Sequence, residues 1–275
     1  MRWRQQDRDR HPLIIAEIGA SHEGRLDTCY RLIAGAKEAG CDAVKIQFFQ
    51  AERLAAQRHA EHVLDTYRQF AVPREWLPAI RQEADACKLP LVISVYDAEG
   101  CAQVHPFAHV IKVASFEAGD LDFLDAIGAN TTVPIIVSTG LCDHKAMMRL
   151  LAWRQFGSHP RALLHCVSAY PCPLRSAQLH QIANYALDGF SDHTGNVLTG
   201  ALAVACGASI LEVHIRHAMT HHANPDFPHS LPIGVPLREY VQFARDAASA
   251  VRAPHHRYVE GIESPMLGYR TRPLS

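Results

Sequence analysis

The 275-residue chain has no long apolar run, no Gly-x-Gly-x-x-Gly and, among its eight cysteines, no Cys-x-x-Cys pair. The first absence argues against a membrane-spanning helix. The second removes the usual signal of a dinucleotide-binding open sheet. The third leaves Cys29, Cys41, Cys87, Cys101, Cys142, Cys166, Cys172 and Cys206 scattered, as buried thiols of a reducing compartment are. An excess of one charge is also missing: 27 Lys and Arg face 28 Asp and Glu, for a net charge of -1. Nothing in bulk therefore points to nucleic acid or an anionic membrane as partner. The opening MRWRQQDRDRHP has no apolar core of the signal-peptide kind, so the expected setting is cytoplasmic.

What is present is ordinary globular composition, 48% apolar and 20% charged, with 18 histidines. Apolar, strand-like runs alternate with helix-like stretches. The runs lie at 13–18, 43–49, 89–95, 109–115, 134–139, 162–168, 187–192 and 209–215, the seventh being the least marked. They are mostly apolar on both faces, as parallel strands covered by helices are. Helical patterns fall at 27–39 and near 74–87, 98–104, 120–128, 143–156, 176–184, 196–206 and 237–252. Eight strand-helix units predict an α/β fold, a (β/α)8 TIM barrel over residues 13–252. An N-terminal extension over 1–12 and a C-terminal tail over 253–275 flank it. The alternative is an open doubly wound sheet, which would want a phosphate fingerprint after its first strand. Two stretches break the rhythm and read as long loops, 50–73 and the His-rich 216–236.

Polar residues collect at the C-terminal ends of the strands, the face on which barrel enzymes carry their chemistry. Lys45 and Lys112 lie inside apolar strands. Such a lysine either snorkels to the rim or points into a polar, anion-holding centre. Two of them on two strands, with Ser115, Ser138, Thr139 and Ser191 nearby, favour a phosphate and carboxylate pocket. His193 and His214 end adjacent strands and are the metal candidates, suited to a divalent Lewis acid. His217, His221 and His222 read as solvated loop. Glu17 and Glu117 are potential acid/base groups, or else ion-pair partners that orient the lysines. Glu212 alternates with His214 on one face and suits a salt bridge across the interior, whereas Asp192 faces away from His193's side.

IAEIGASHEG, DAVKIQFF, IKVASFEAGDLDFL, PIIVSTG, LLHCVSAYPCP, FSDHTG, CGASILEVHI and NPDFPHSL follow one another in an order and spacing that resemble the sialic acid (N-acetylneuraminate) synthase family across about residues 13–250. The resemblance implies a phosphoenolpyruvate-dependent transferase of carbohydrate biosynthesis. It would condense phosphoenolpyruvate with an N-acetylmannosamine-like aldehyde, giving a 2-keto-3-deoxy sugar acid and phosphate, with Mn2+ or Mg2+ as cofactor. Carried over residue by residue, Lys45, Lys112, Ser115, Ser138 and Ser191 would hold phosphoenolpyruvate, with Ser94 in addition. His193 and His214 would bind the metal, Glu117 would be the base, and Glu17 would stand near the metal's waters. Gln47, Tyr170 and Asp226 would touch the sugar.

Three departures concern the acceptor. The family's antifreeze-like domain, which follows the barrel and reaches a partner subunit's site, has no counterpart before Ser275. The resemblance suggests a homodimer, and a separate cap domain or subunit could supply the missing cap. The family's TPFD is Ser94-Val95-Tyr96-Asp97, and the loop between His214 and Asp226 is about one residue longer and rich in histidine. The competing expectations are a 3-deoxy-ulosonate synthase that accepts a sugar phosphate, and a non-catalytic barrel subunit that binds phosphoenolpyruvate.

Overall fold

A computed structural model describes residues 11–155 and 159–251. Eight parallel strands form a closed ring: β1 Leu13–Glu17, β2 Ala43–Gln47, β3 Leu91–Val95, β4 Val110–Val113, β5 Ile135–Ser138, β6 Arg161–Cys166, β7 Gly189–Asp192 and β8 Ile210–Arg216. Each pairs with the next, and β1 also pairs with β8 through Leu13 to Ile210 and Glu17 to His214, which closes the barrel. A two-residue strand, β9 Leu231–Pro232, adds to the upper end of β8. The barrel expected from the alternating pattern is thus the architecture found. Of the expected extension and tail, all but His11 and Pro12 lie outside the described residues.

Helices α1 Leu26–Ala39, α2 Ala51–Gln57, α3 Leu64–Phe70, α4 Leu77–Ala86, α5 Ala98–Val104, α6 Leu121–Asn130, α7 His144–Gln155, α8 Gln181–Asn184, α9 Thr199–Ala205 and α10 Val235–Val251 connect or follow the strands. Local chemistry starts three of them: Asp97 accepts from the backbone of Gly100 at 2.6 Å, Asp120 from Phe123 at 2.9 Å and Asp143 from Ala146 at 2.7 Å. Asp27 does not cap α1. It sits in the first turn, paired with Arg25. The stretch 50–73 is not a plain loop, because it folds into α2 and α3. Each is only two turns long, too short to show helical periodicity, and each is anchored by a few apolar groups, Leu54 and Ala55 or Phe70. The helix expected over 176–184 shrinks to α8 because Gln178 takes a positive φ of 47° and breaks the run.

The barrel interior is built in layers by the two-residue period of the strands. Ile15, Ala43, Val92, Val110, Ile136, Ala162, Leu164 and Ile210 form a dry cluster of their own, separate from the large core between strands and helices. The residue two positions further along is polar on nearly every strand: Glu17, Lys45, Ser94, Lys112, Ser138, Cys166 and Glu212, joined by Ser191 of β7. Gly189 occupies the floor position of β7. A Cβ there would stand 2.0 Å from the carbonyl oxygen of Ile210, so only glycine lets β7 approach β8 this closely.

Candidate active site

A cavity of about 360 Å3 opens above the apolar floor, a volume ordinary for a small-molecule site. At its base Lys45 and Lys112 are 3% and 2% exposed, which rules out snorkelling to the rim. Lys45 lies 2.8 Å from Glu17 and 3.5 Å from Glu212, and it donates to Ser94 Oγ at 3.0 Å. Lys112 donates to Ser138 Oγ at 2.7 Å and lies 3.6 Å from Glu212. Glu212 also accepts from Ser191 at 3.0 Å. Burial tends to discharge both ammonium groups. For Lys45 the two carboxylates outweigh burial and the pKa rises; for Lys112 burial prevails and it falls. Glu212 is itself desolvated, yet Lys112 and Lys45 hold it down to about 2.

The second wall comes from β7, β8 and the loop beyond β8. The ring centres of His193 and His214 are 5.3 Å apart, those of His214 and His229 4.5 Å, and those of His193 and His229 6.1 Å. His193 Nδ1 donates to the Val167 carbonyl at 3.0 Å, which leaves Nε2 as the lone-pair nitrogen. Burial, reinforced by His214, lowers His193 to about 3, and the same two causes lower His229 to about 3, so both rings are neutral near pH 7. Burial also pulls on His214, but Asp226 Oδ2 at 3.4 Å from its Nδ1 prevails and raises it. Asp226, for its part, is held down to about 2: burial would raise it, and the His214 partnership overrides that.

Asp226 is placed by the turn after β1. The backbone N–H of Ala20 donates to its Oδ2 at 2.8 Å, and Asn224 Nδ2 donates to the Ala20 carbonyl at 2.9 Å. Gly19 has φ +50°, and a Cβ on it would meet Asp226 Oδ2 at 2.0 Å. The glycine thus supplies both the turn and the room for the carboxylate.

Of the residues singled out in the sequence, Lys45, Gln47, Ser94, Lys112, Ser115, Ser138, Tyr170, Ser191, His193, His214 and Asp226 line this one cavity. Thr139 does not. It follows inward-facing Ser138, points to the other face, and donates its hydroxyl to the Leu164 carbonyl at 3.1 Å. Glu17 and Glu117 stand just behind the wall. Glu17 joins Lys45 and accepts from Gln47 at 2.7 Å, which is the ion-pairing role weighed for it. Glu117 does not orient a lysine; its partner is Arg58, at 2.5 Å. Burial raises the Glu117 pKa against the opposing pull of Arg58, and its Oε2 has no hydrogen-bond partner. Asp192 faces outward as its position implies, accepting from Thr194. His221 and His222 are exposed, as expected of solvated loop, and His217 is half-buried.

Among the cavity residues left unassigned in the sequence, Arg58 and His229 carry chemistry of their own. Arg58, at the end of α2, reaches over Tyr96 and Phe116 to pair with Glu117. Nothing in the sequence ties it to a partner 59 positions away. His229 lies in NPDFPHSL, and its signal is a histidine close behind Asp226 in a loop that returns to the barrel mouth.

The donor set suits a divalent cation: His214, His229 and the Asp226 carboxylate lie together on one side of the cavity, with the neutral ring of His193 beside them. Residues 32–254 match the NeuB family. The chain belongs to the NeuB family. It is 30% identical over 227 residues to a pseudaminic acid synthase of Campylobacter jejuni, a match covering 75% of this chain and 65% of that protein. It is 32% identical over 231 residues to the spore coat polysaccharide biosynthesis protein SpsE of Bacillus subtilis, covering 75% and 60%. The chain thus spans less than two-thirds of the length of these NeuB family relatives. The barrel superposes on the N-acetylneuraminic acid synthetase of Leptospira borgpetersenii with a TM-score of 0.85, at 22% identity, covering 95% of this chain and 92% of that one.

Proposed function

We propose that the cavity condenses phosphoenolpyruvate with an aldehyde sugar of the N-acetylmannosamine kind, giving a 2-keto-3-deoxy sugar acid and phosphate. One observation carries the reading: two buried ammonium groups with serine hydroxyls face a cluster of imidazoles across about 360 Å3. A small polyanion is the ligand that such a base fits. Charge-assisted hydrogen bonds from Lys45 and Lys112, with Ser94, Ser138, Ser115 and Ser191, would hold the phosphate and carboxylate. Glu212, between the lysines, sets their spacing. The names of the NeuB family relatives, a pseudaminic acid synthase among them, support a sugar acid as product.

In the reaction, C3 of phosphoenolpyruvate bonds to the aldehyde carbon, water adds at C2, and the C2–O bond to phosphate breaks. A divalent cation held by His193 and His214 would supply Lewis-acid polarisation of the aldehyde oxygen. Glu117 is the base for the proton of the incoming water, with its unpartnered Oε2 as acceptor and Arg58 holding the other oxygen. Gln47, Tyr170 and Asp226 line the side left for the sugar, and Glu17 keeps Gln47 and Lys45 in place. A homodimer or a separate cap chain would cover the mouth, where Phe116 and Tyr170 are 52% and 45% exposed. The eight free thiols favour a cytoplasmic setting.

The test is phosphate release from phosphoenolpyruvate with added Mn2+ across N-acetylhexosamines, plain aldoses and aldose phosphates. Release that requires an unphosphorylated amino sugar supports the reading. Arg58, the extra cation of the cavity, is already paired with Glu117, so among the described residues lining the cavity no cation stands ready for a second phosphate. Release with aldose phosphates alone, or binding without turnover for every aldehyde, would contradict it.

A further inference from the structure

His229 has no role in the reaction as described, yet its surroundings are unusual for a buried histidine. It is 2% exposed, lines the cavity, and neither Nδ1 nor Nε2 has a hydrogen-bond partner. A buried imidazole left without partners loses the hydration of two polar atoms, a cost proteins seldom leave uncompensated. Its ring packs against other residues of the cavity wall. It packs edge-on against Tyr170 at 5.1 Å and against His214 at 4.5 Å, and Asp226 Oδ1 lies 3.7 Å from its Nε2.

His214, Asp226 and His229 each present one ligand atom within 4.8 Å of the other two, a spacing that a single ion bridges by small rotations of the rings. The loop places this set firmly. Asp226 is tied to Ala20, and the 3-10 turn Phe227–His229 follows at once, with the N–H of His229 bonded to the Asp226 carbonyl at 3.3 Å. Three positions separate the carboxylate from the imidazole, and one turn brings both to the same side.

We propose that His229 is a metal ligand, so that the cation is held by three imidazoles, His193, His214 and His229, together with the Asp226 carboxylate, rather than by two histidines. The inference rests on the metal-assisted reading above and deepens it. A third nitrogen changes what the site prefers. Nitrogen-rich sets favour borderline ions such as Zn2+, Co2+ and Fe2+, whereas Mg2+ wants oxygen and water. The site therefore selects a transition ion and holds it before any substrate arrives.

Metal binding to the metal-free full chain, without substrates, tests this. Co2+ is titrated into the wild type, His229→Ala, His229→Gln and the exposed-loop control His222→Ala, with Kd and the visible spectrum of the bound ion as readouts. Circular dichroism and thermal melting report the fold. Because loss of even an outer partner costs about 10- to 100-fold in metal affinity, loss of a ligand should weaken Co2+ by at least about tenfold and alter its spectrum. Mg2+ binding should change far less, and His222→Ala should match the wild type. Wild-type affinity and spectrum in a folded His229 variant overturn the assignment while leaving the two-histidine site standing. A wild type that binds no Co2+ overturns the two together. Should both variants misfold, ring-nitrogen NMR of the Zn2+-loaded wild type decides. Three shifted histidines in the site support the proposal, and two refute it.

Discussion

Two layers of the same barrel, one residue pair apart along each strand, follow opposite rules. The lower layer, Ile15, Ala43, Val92, Val110, Ile136, Ala162, Leu164 and Ile210, is apolar throughout. The upper layer buries Glu17, Lys45, Lys112 and Glu212, all under 4% exposed. The first layer follows what stability asks, since each fully buried aliphatic side chain contributes roughly 1.5–3 kcal/mol. The second does not, because desolvating an ion costs several kcal/mol that pairing only partly returns. Under the proposed function, a charge network of this kind in a barrel core serves the anion it would receive. The backbone is shared; only the position along the strand separates scaffold from chemistry.

The largest expected effect breaks the two layers apart by stability. Ile136→Ala should cost about 2–5 kcal/mol in denaturant unfolding and leave phosphoenolpyruvate binding nearly unchanged. The paired replacement Lys112→Met with Glu212→Gln should do the reverse. It removes a buried ion pair together, so stability should hold or rise. Phosphoenolpyruvate affinity, measured by calorimetry, should drop roughly 10- to 150-fold, the equivalent of a charge-assisted hydrogen bond worth about 1.5–3 kcal/mol. If both replacements harmed stability and binding alike, the two layers would not be functionally distinct.

A smaller effect concerns proton transfer above the upper layer. Burial raises the Glu117 pKa and Arg58 opposes that rise. A base works only when deprotonated, so turnover should fall as pH drops through the Glu117 pKa. Arg58→Ala removes the opposing cation, the pKa climbs further, and the acid limb of kcat should move to higher pH. A limb that stays in place, or full turnover in Glu117→Gln, would remove Glu117 from the base role. The smallest contrast is between neighbours on one strand. Ser138→Ala should weaken phosphoenolpyruvate binding several-fold, while Thr139→Val, which loses only a hydrogen bond to Leu164, should leave binding intact and cost about 1 kcal/mol of stability.

Those neighbours also show where the sequence was legible and where it was not. The eight strands were readable because buried parallel strands are continuous apolar runs, and even Gly189–Asp192 was found. Lys45 and Lys112 stood out because a cation inside such a run demands a reason. The alternation that set Asp192 apart from His193 applies equally to Thr139, which follows inward-facing Ser138 and so faces out. α2 and α3 were missed because two-turn helices draw their stability from tertiary contact. Arg58 and His229 were not legible as site residues. One reaches the cavity on a long side chain from a helix end, and the other through a loop whose return to Ala20 is fixed by Asp226 and Asn224. The reach of Arg58 leaves no spacing pattern in the chain, and that of His229 leaves only its place three positions after Asp226.

The most direct test of the central claim is a crystal structure of the chain with phosphoenolpyruvate and Co2+. The phosphate and carboxylate should lie within hydrogen-bond reach, about 2.7–3.2 Å, of Lys45 and Lys112, with the ion among the imidazoles opposite. Phosphoenolpyruvate bound elsewhere on the barrel, or a cavity in which Glu212 keeps both lysines and admits no anion, would contradict the account.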